Sequence, residues 1–202
     1  MTQFALPLDV RGAAAPVRIV VGDANRAAVE ALGEPGNWPF RTAVLVGAPR
    51  SGKSLLARWF VAQGKGEAID DADRSNETAV FHAWNRAQEA GRPLLLTARP
   101  GWRAALPDLA SRIGGSQPLA LGSPDDAMIA DLLTAHGVQR RMILGDGAAA
   151  YLVPRLERSF AAVEAVVEAI DRISLERQAP ATLSVWRDAL EAVQGPEQGR
   201  LL

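Results

Sequence analysis

Gly47-Ala48-Pro49-Arg50-Ser51-Gly52-Lys53-Ser54 fits the pattern of glycine, any four residues, glycine, lysine, then serine or threonine. Ala43-Val44-Leu45-Val46 before it is too short and too β-branched for a helix and reads as a buried strand, while Leu55 to Val61 keeps helix-compatible spacing. A glycine-rich turn between a strand and a helix is a phosphate-binding loop. Successive backbone N–H groups can wrap a phosphate, Lys53 can reach its outer oxygens, and the Ser54 hydroxyl can ligate magnesium. The expected nucleotide contacts are Gly47, Arg50, Ser51, Gly52, Lys53, Ser54 and Leu55, with ADP or ATP and Mg2+ as the bound groups.

With 202 residues, the chain can bury a real core as one domain or as a domain with a small appendage. It has no cysteine, so no disulfide framework forms. No basic segment followed by an apolar one opens the sequence, and no apolar run approaches a bilayer span. These features predict a soluble, cytoplasmic protein with no membrane partner. The formal net charge of −1 lacks the broad positive field of an autonomous DNA binder. Contact with DNA is therefore expected to be indirect or local.

Outward from the loop, the run Val17 to Asn25 ends in a turn and enters a helix from about Asn25 to Leu32, which Asp23 or Asn25 can cap. Val20 and Val21 in that run either close over an adenine or form an ordinary β edge. After the loop helix, Ala68-Ile69-Asp70-Asp71 runs from apolar residues into two carboxylates and resembles a Walker B site. In that reading Asp70 holds the magnesium shell and Asp71 polarises the attacking water; the alternative is a solvated acidic turn. The lead-in is short and almost nothing separates it from the loop helix, so a usual strand-helix unit is missing. Glu77 to Ala90 reads as an amphipathic helix burying Val80, Phe81, Trp84 and Ala87, with His82 at the boundary of that stripe. Pro93 to Thr97 reads as a buried parallel strand, which puts Thr97 at its carboxyl end, where α/β sheets bind ligands. Pro118 to Leu121 reads as a further short strand.

Loop, Asp-Asp, Leu94-Leu95-Leu96-Thr97-Ala98-Arg99-Pro100 and Leu106-Pro107-Asp108-Leu109-Ala110-Ser111-Arg112, in that order, resemble the DnaA-related AAA+ family, and within it the shorter regulatory branch of Hda type. The resemblance covers nearly the whole chain. It implies a P-loop parallel sheet flanked by helices with a C-terminal all-α lid, an α/β fold. It implies that Arg112 is an arginine finger acting in trans and that Thr97 is the sensor 1 residue. The opening Gln3-Phe4-Ala5-Leu6-Pro7-Leu8 resembles the peptide by which bacterial replication proteins bind the sliding clamp of DNA polymerase III. There Gln3 is the polar anchor, Leu6 and Leu8 are hydrophobic plugs, Phe4 belongs to the same clamp-binding segment, and Pro7 pre-extends the backbone. A segment of this kind either docks on its own domain or offers itself to a partner.

The expected organisation is a clamp-binding peptide at 1–12, a shortened nucleotide-binding subdomain at 13–121, a helical lid at 122–194 and a tail at 195–202. Ser123-Pro124-Asp125-Asp126 reads as a helix start with Pro124 at the first helical position and acids in the first turn. A second lid helix spans roughly 146–156 and is bent or broken by Pro154. A third is capped by Ser159, and a last one runs from Ser184 to Val193. The resemblance calls for a sensor 2 arginine near the start of the third helix. Arg158 is the nearest, so either it serves from one turn earlier or the lid does not read the nucleotide in the usual way. After Val193 no room is expected for a helix-turn-helix domain, which favours the regulator over the initiator.

The resemblance thus implies a stimulator of ATP hydrolysis on DnaA, tethered to DNA through the clamp, with a homo-oligomer also open. Two rivals stand beside it: an autonomous AAA+ ATPase, and a non-catalytic adaptor for the clamp or DnaA.

Overall fold

A computed structural model of the chain describes residues 6–7, 18–145 and 147–195. Gln3, Phe4 and Leu8 of the expected clamp peptide lie outside these residues, as do the side chains of Leu6 and Pro7. The chain forms two compact units that divide between Gly122 and Ser123.

The first unit runs β1 (Leu6–Pro7), β2 (Arg18–Ile19), α1 (Arg26–Gly33), β3 (Thr42–Val46), α2 (Lys53–Ala62), β4 (Glu67–Ile69), α3 (Glu77–Glu89), β5 (Leu94–Ala98), α4 (Pro107–Gly115) and β6 (Gln117–Ala120). The backbones of β1 and β2 pair antiparallel, Leu6 opposite Ile19. The other four strands form one parallel sheet in the order β4-β5-β3-β6. Its central strands β3 and β5 are apolar except for Thr42 and Thr97, because both faces are covered. Side chains alternate across the pleat. Ala43, Leu45 and Leu95 face Leu32, Leu56 and Phe60 of α1 and α2, whereas Val44, Leu94 and Leu96 face Val80 of α3 and Leu109 of α4. Trp38 stacks on Phe60 at 5.4 Å between ring centroids and donates its indole N–H to the Ala31 carbonyl.

Only Gln63-Gly64-Lys65-Gly66 separates α2 from β4. The missing strand-helix unit expected from the sequence is thus absent there, and β4 becomes an edge strand with β5 as its one partner among the described residues. Other expectations shift by small steps. The second buried strand continues one residue past Thr97 to Ala98, and the last spans Gln117–Ala120 rather than Pro118 to Leu121. Asn25 occupies the cap position of α1, but its side chain turns backward, accepting from Gly22 N–H at 2.9 Å and donating to Val20 O at 2.8 Å. Of the expected apolar stripe on α3, Val80 and Ala87 are buried, Phe81 and Trp84 half-buried; His82 is exposed.

The second unit contains α5 (Asp126–Gln139), α6 (Ala148–Leu152), a tight turn over Val153–Arg155, α7 (Phe160–Arg177) and α8 (Leu183–Gln194). Val163, Val166, Val167 and Ile170 of α7 form its centre, against Ile129 and Leu133 of α5 and Trp186 and Leu190 of α8. Pro154 ends α6 as expected, having no N–H to continue the ladder. The start of α5 differs from the reading above: Asp125, not Ser123, is the cap, its carboxylate accepting from Met128 N–H at 2.7 Å, which leaves Pro124 before the helix. A carboxylate beats the more distant hydroxyl here because it also complements the helix dipole. Ser159 caps α7 by accepting from Ala162 N–H at 3.1 Å. Ser159→Ala is expected to lower the stability of this unit by about 1 kcal/mol, read by chemical denaturation. Among the described residues no helix is long and apolar enough to cross a membrane.

Candidate nucleotide-binding site

The loop Gly47–Ser54 leaves β3 at the carboxyl edge of the sheet. Gly47 N–H donates to Ala98 O at 3.3 Å and Leu121 N–H donates to Val46 O at 2.8 Å, so the ends of β5 and β6 flank its entry. A Cβ on Gly47 would stand 2.6 Å from Ser51 Oγ and 3.0 Å from Leu121 Cβ, a space only glycine fills. Arg50 and Gly52 adopt left-handed backbone, φ 65° and 90°, and swing the chain so that α2 starts at Lys53. The Gly47 N–H is engaged by Ala98 O of β5, and the Ser51 N–H by Ala48 O within the loop. Among the donors that can face an anion are those of the first turn of α2, at Lys53, Ser54 and Leu55, because Gly52 supplies no side-chain cap. Lys53 is 6% exposed and donates to the carbonyls of Gly47 at 2.8 Å and Ala48 at 2.9 Å. Ser51 is 3% exposed and its buried hydroxyl has no partner. An uncapped helix start, an ammonium and an orphaned buried hydroxyl converge here, a donor set that fits a nucleotide phosphate.

Asp70 leaves the end of β4 beside this loop. Thr97, fully buried on β5, donates its hydroxyl to Asp70 Oδ1 at 2.6 Å and accepts from Asp71 N–H at 2.9 Å. Burial acts to raise the Asp70 pKa, but hydrogen bonds from Thr97, Ser54 and the Asp71 backbone, with the charge of Arg58, outweigh it and hold the carboxyl below its ordinary range. A depressed carboxyl contributes stability above its unfolded-state pKa and loses that contribution as pH falls through the folded value, so the network weakens only in acid. Ser54 of the loop thus acts on Asp70, the residue after β4, and Thr97 links both aspartates. Among the described residues no group of three or more His, Cys, Asp and Glu side chains could hold a metal. Magnesium asks for less, since it keeps several waters and takes one or two protein oxygens plus phosphate, and Ser54 with Asp70 fits that demand. Asp71 itself sits in left-handed backbone at φ 48°.

The Val20–Asn25 turn lies along the same edge. Gly122 N–H donates to Ala24 O at 2.8 Å, next to Leu121, which touches the Gly47 position. Val21 is buried and Val20 half-buried, so the backbone of the turn, stapled by Asn25, flanks the loop.

Arg112 stands apart from this cluster of contacts. Its guanidinium carbon lies 4.3 Å from the Phe81 ring centre and 4.6 Å from that of Trp84, one N–H donates to Asp108 O at 3.1 Å, and its buried Nε has no partner. Glu77 fixes the helix that carries it, its two carboxylate oxygens accepting from Ala105 N–H at 2.8 Å and Leu106 N–H at 2.7 Å. Arg158 belongs to the second unit, where it pairs with Asp126 at 3.1 Å and its side chain is 67% exposed.

Sequence reasoning missed Arg58, Glu77, and the pair Arg99 with Asp73. For Arg58 a signal existed: it is one helical turn beyond Ser54 and so shares its face. Glu77 has no local signal, because its partners are 28 and 29 residues away.

A parallel sheet with a glycine-rich loop after a central strand, plus an all-α second unit, is an α/β fold of the kind found in AAA+ proteins. Among solved structures, domain III of the Thermotoga maritima replication initiation protein DnaA superposes with TM-score 0.75 at 14% identity, covering 88% of this chain and 95% of that chain. DnaA bound to AMPPCP and single-stranded DNA gives 0.61 at 15%, covering 79% and 66%. The Thermotoga maritima Holliday junction branch migration motor RuvB gives 0.61 at 15%, covering 88% and 73%. At these identities the likeness is one of fold. In sequence, an uncharacterised protein of Haemophilus influenzae is 31% identical over 111 residues, spanning 53% of this chain and about half, 48%, of that protein. No protein-family model matches the chain.

Proposed function

We propose that this chain is a cytoplasmic, Hda-type regulator of replication initiation that holds adenine nucleotide with magnesium and presents Arg112 to ATP bound on DnaA. The carrying observation is the hydrogen-bonded set of Asp70, Thr97 and Asp71 beside the phosphate loop, with Ser54 near enough to Asp70 to lower its pKa. The fold shared with DnaA domain III supports the replication context.

In this mechanism the first-turn N–H groups of α2 and the ammonium of Lys53 bind the phosphates, Lys53 exchanging the carbonyls of Gly47 and Ala48 for phosphate oxygens. Ser54 and Asp70 would hold magnesium, which when bound neutralises phosphate charge. Thr97 keeps Asp70 ionised through its hydrogen bond, and Asp71 would orient a water. Arg112, swung off Phe81 and Trp84, stabilises charge developing on the phosphate of the neighbouring DnaA. Gln3, Phe4, Leu6, Pro7 and Leu8 tether the protein to the DNA-loaded clamp, so DNA is reached indirectly.

The seating of Arg112 on two aromatic rings favours one second reading, a non-catalytic adaptor for the clamp or DnaA in which this arginine is structural. One reaction separates the two. ATP-loaded DnaA is incubated with and without this protein and DNA-loaded clamp, and the ATP to ADP ratio is followed. ADP is expected to accumulate only when both are present; an unchanged ratio with intact clamp binding selects the adaptor. Leu6→Ala with Leu8→Ala is expected to abolish both clamp pull-down and stimulation while the melting temperature holds. Persistent pull-down would make the N-terminus an ordinary tail.

A further inference from the structure

We propose that Arg99 and Asp73 are a positioning pair that holds the Asp70-Asp71 turn in its metal-facing geometry, an inference that rests on the nucleotide and magnesium reading above. The starting point is the edge position of β4. Among the described residues its three residues pair only with β5, and Ile69 opposite Leu96 is the last rung of the ladder. Asp70 follows that rung with no strand on its outer side among the described residues, and Asp71 then takes left-handed backbone, a conformation that costs a non-glycine residue energy unless its surroundings enforce it.

Two side chains at the end of β5 enforce it. Thr97 bonds Asp70 Oδ1 and Asp71 N–H, as described. Two residues on, Arg99 Nε donates to Asp73 Oδ2 at 2.5 Å. Extended chain sends side chains two apart to the same side, so Thr97 and Arg99 grip the beginning and the end of one short acidic turn. The Asp73 side chain is only 4% exposed while that of Arg99 is 49% exposed, and the other Asp73 oxygen is buried without a partner. Arg99 is therefore the cation that makes a buried carboxylate tolerable. The Asp71 carbonyl is in turn held by Arg74 N–H at 2.9 Å and by the Ser75 hydroxyl at 3.3 Å, both just beyond Asp73. Displacing Asp73 moves the whole turn. Arg99 thus does for the edge strand what a second flanking strand would do for an interior one.

The experiment measures ADP affinity by calorimetry in Mg2+ and in EDTA, with amide hydrogen exchange on the nucleotide-free protein alongside. The unmodified chain gains affinity from Mg2+. Arg99→Ala removes that gain, a loss of about 10- to 100-fold of the kind expected when a ligand's supporting contact is cut, and leaves the EDTA affinity unchanged. Arg99→Lys, which keeps the charge, restores part of the gain. In exchange, Arg99→Ala exposes the Asp71 amide and spares the amides of β3. An unchanged Mg2+ gain, an equal loss in Mg2+ and EDTA, or an unaltered Asp71 amide overturns the proposal. An unmodified chain that binds no nucleotide refutes the nucleotide reading instead, and the exchange result then decides whether Arg99 holds the turn.

Discussion

Arg112→Ala is expected to leave nucleotide and clamp binding intact and to remove stimulated hydrolysis of DnaA-bound ATP, a loss of about 10³- to 10⁵-fold if its role matches that of arginine fingers in GTPases. The structure adds a cost to that role. Leaving Phe81 and Trp84 forfeits cation–π contacts of about 0.5–2 kcal/mol. The rate factor corresponds to about 4–7 kcal/mol of transition-state stabilisation. The larger number wins, so a docked Arg112 can swing out when a phosphate is offered, and the unpartnered Nε has a hydrogen bond to gain by doing so. Arg112→Lys discriminates the two uses of the side chain. Lysine keeps a cation over the rings but lacks the planar fork that fits phosphate, so it is expected to preserve the melting temperature and lose most of the stimulation. Full stimulation by Arg112→Ala, measured as ADP formed on DnaA per minute, would sink the arginine-finger assignment.

The parts of the fold legible in the sequence were those written in short-range patterns. The loop Gly47 to Ser54 carries its own punctuation, β3 and β5 hold the apolar runs Ala43 to Val46 and Leu94 to Leu96, and Ser159 announces α7 three residues ahead of the N–H it accepts from. The proximity of α2 to β4 also showed, because an omitted unit shortens the chain visibly. What stayed hidden depends on residues far apart in sequence. Thr97 and Asp70 are 27 residues apart and Arg99 and Asp73 are 26 apart, so the coupling of β5 to the acidic turn has no local trace. Arg112 was legible as the arginine of a family motif but not as a guanidinium laid on Phe81 and Trp84. That placement depends on α3 and α4 lying side by side, and it changes the question from whether Arg112 is exposed to what releases it. The cap of α5 was misplaced for a different reason: Ser123 and Asp125 are both good caps, and only the tertiary path of the chain selects between them.

Lys53→Ala carries the second large effect. Lys53 is almost fully buried and its ammonium is shared by two loop carbonyls, so phosphate must compete with bonds already made. It does so with full negative charge against two neutral dipoles, and charge-assisted bonds are about twice as strong as neutral ones. Truncating one partner of a buried charge pair costs about 2–5 kcal/mol, which raises the Kd for nucleotide by roughly 30-fold at the least. At a nucleotide concentration of about 100 times Kd the unmodified protein gains about 2.7 kcal/mol of stability, whereas the variant at the same concentration gains less than about 1 kcal/mol. Read as a melting curve with and without ADP and Mg2+, the nucleotide-dependent rise of about 5–10 °C should shrink to about a third or less. Without nucleotide the variant should melt slightly earlier, because the carbonyls of Gly47 and Ala48 lose their donor. A full nucleotide-dependent rise in Lys53→Ala would mean that the loop holds its glycines and lysine for the turn alone. The orphaned Ser51 hydroxyl and the uncapped start of α2 argue against that, since a loop built only to turn would leave neither.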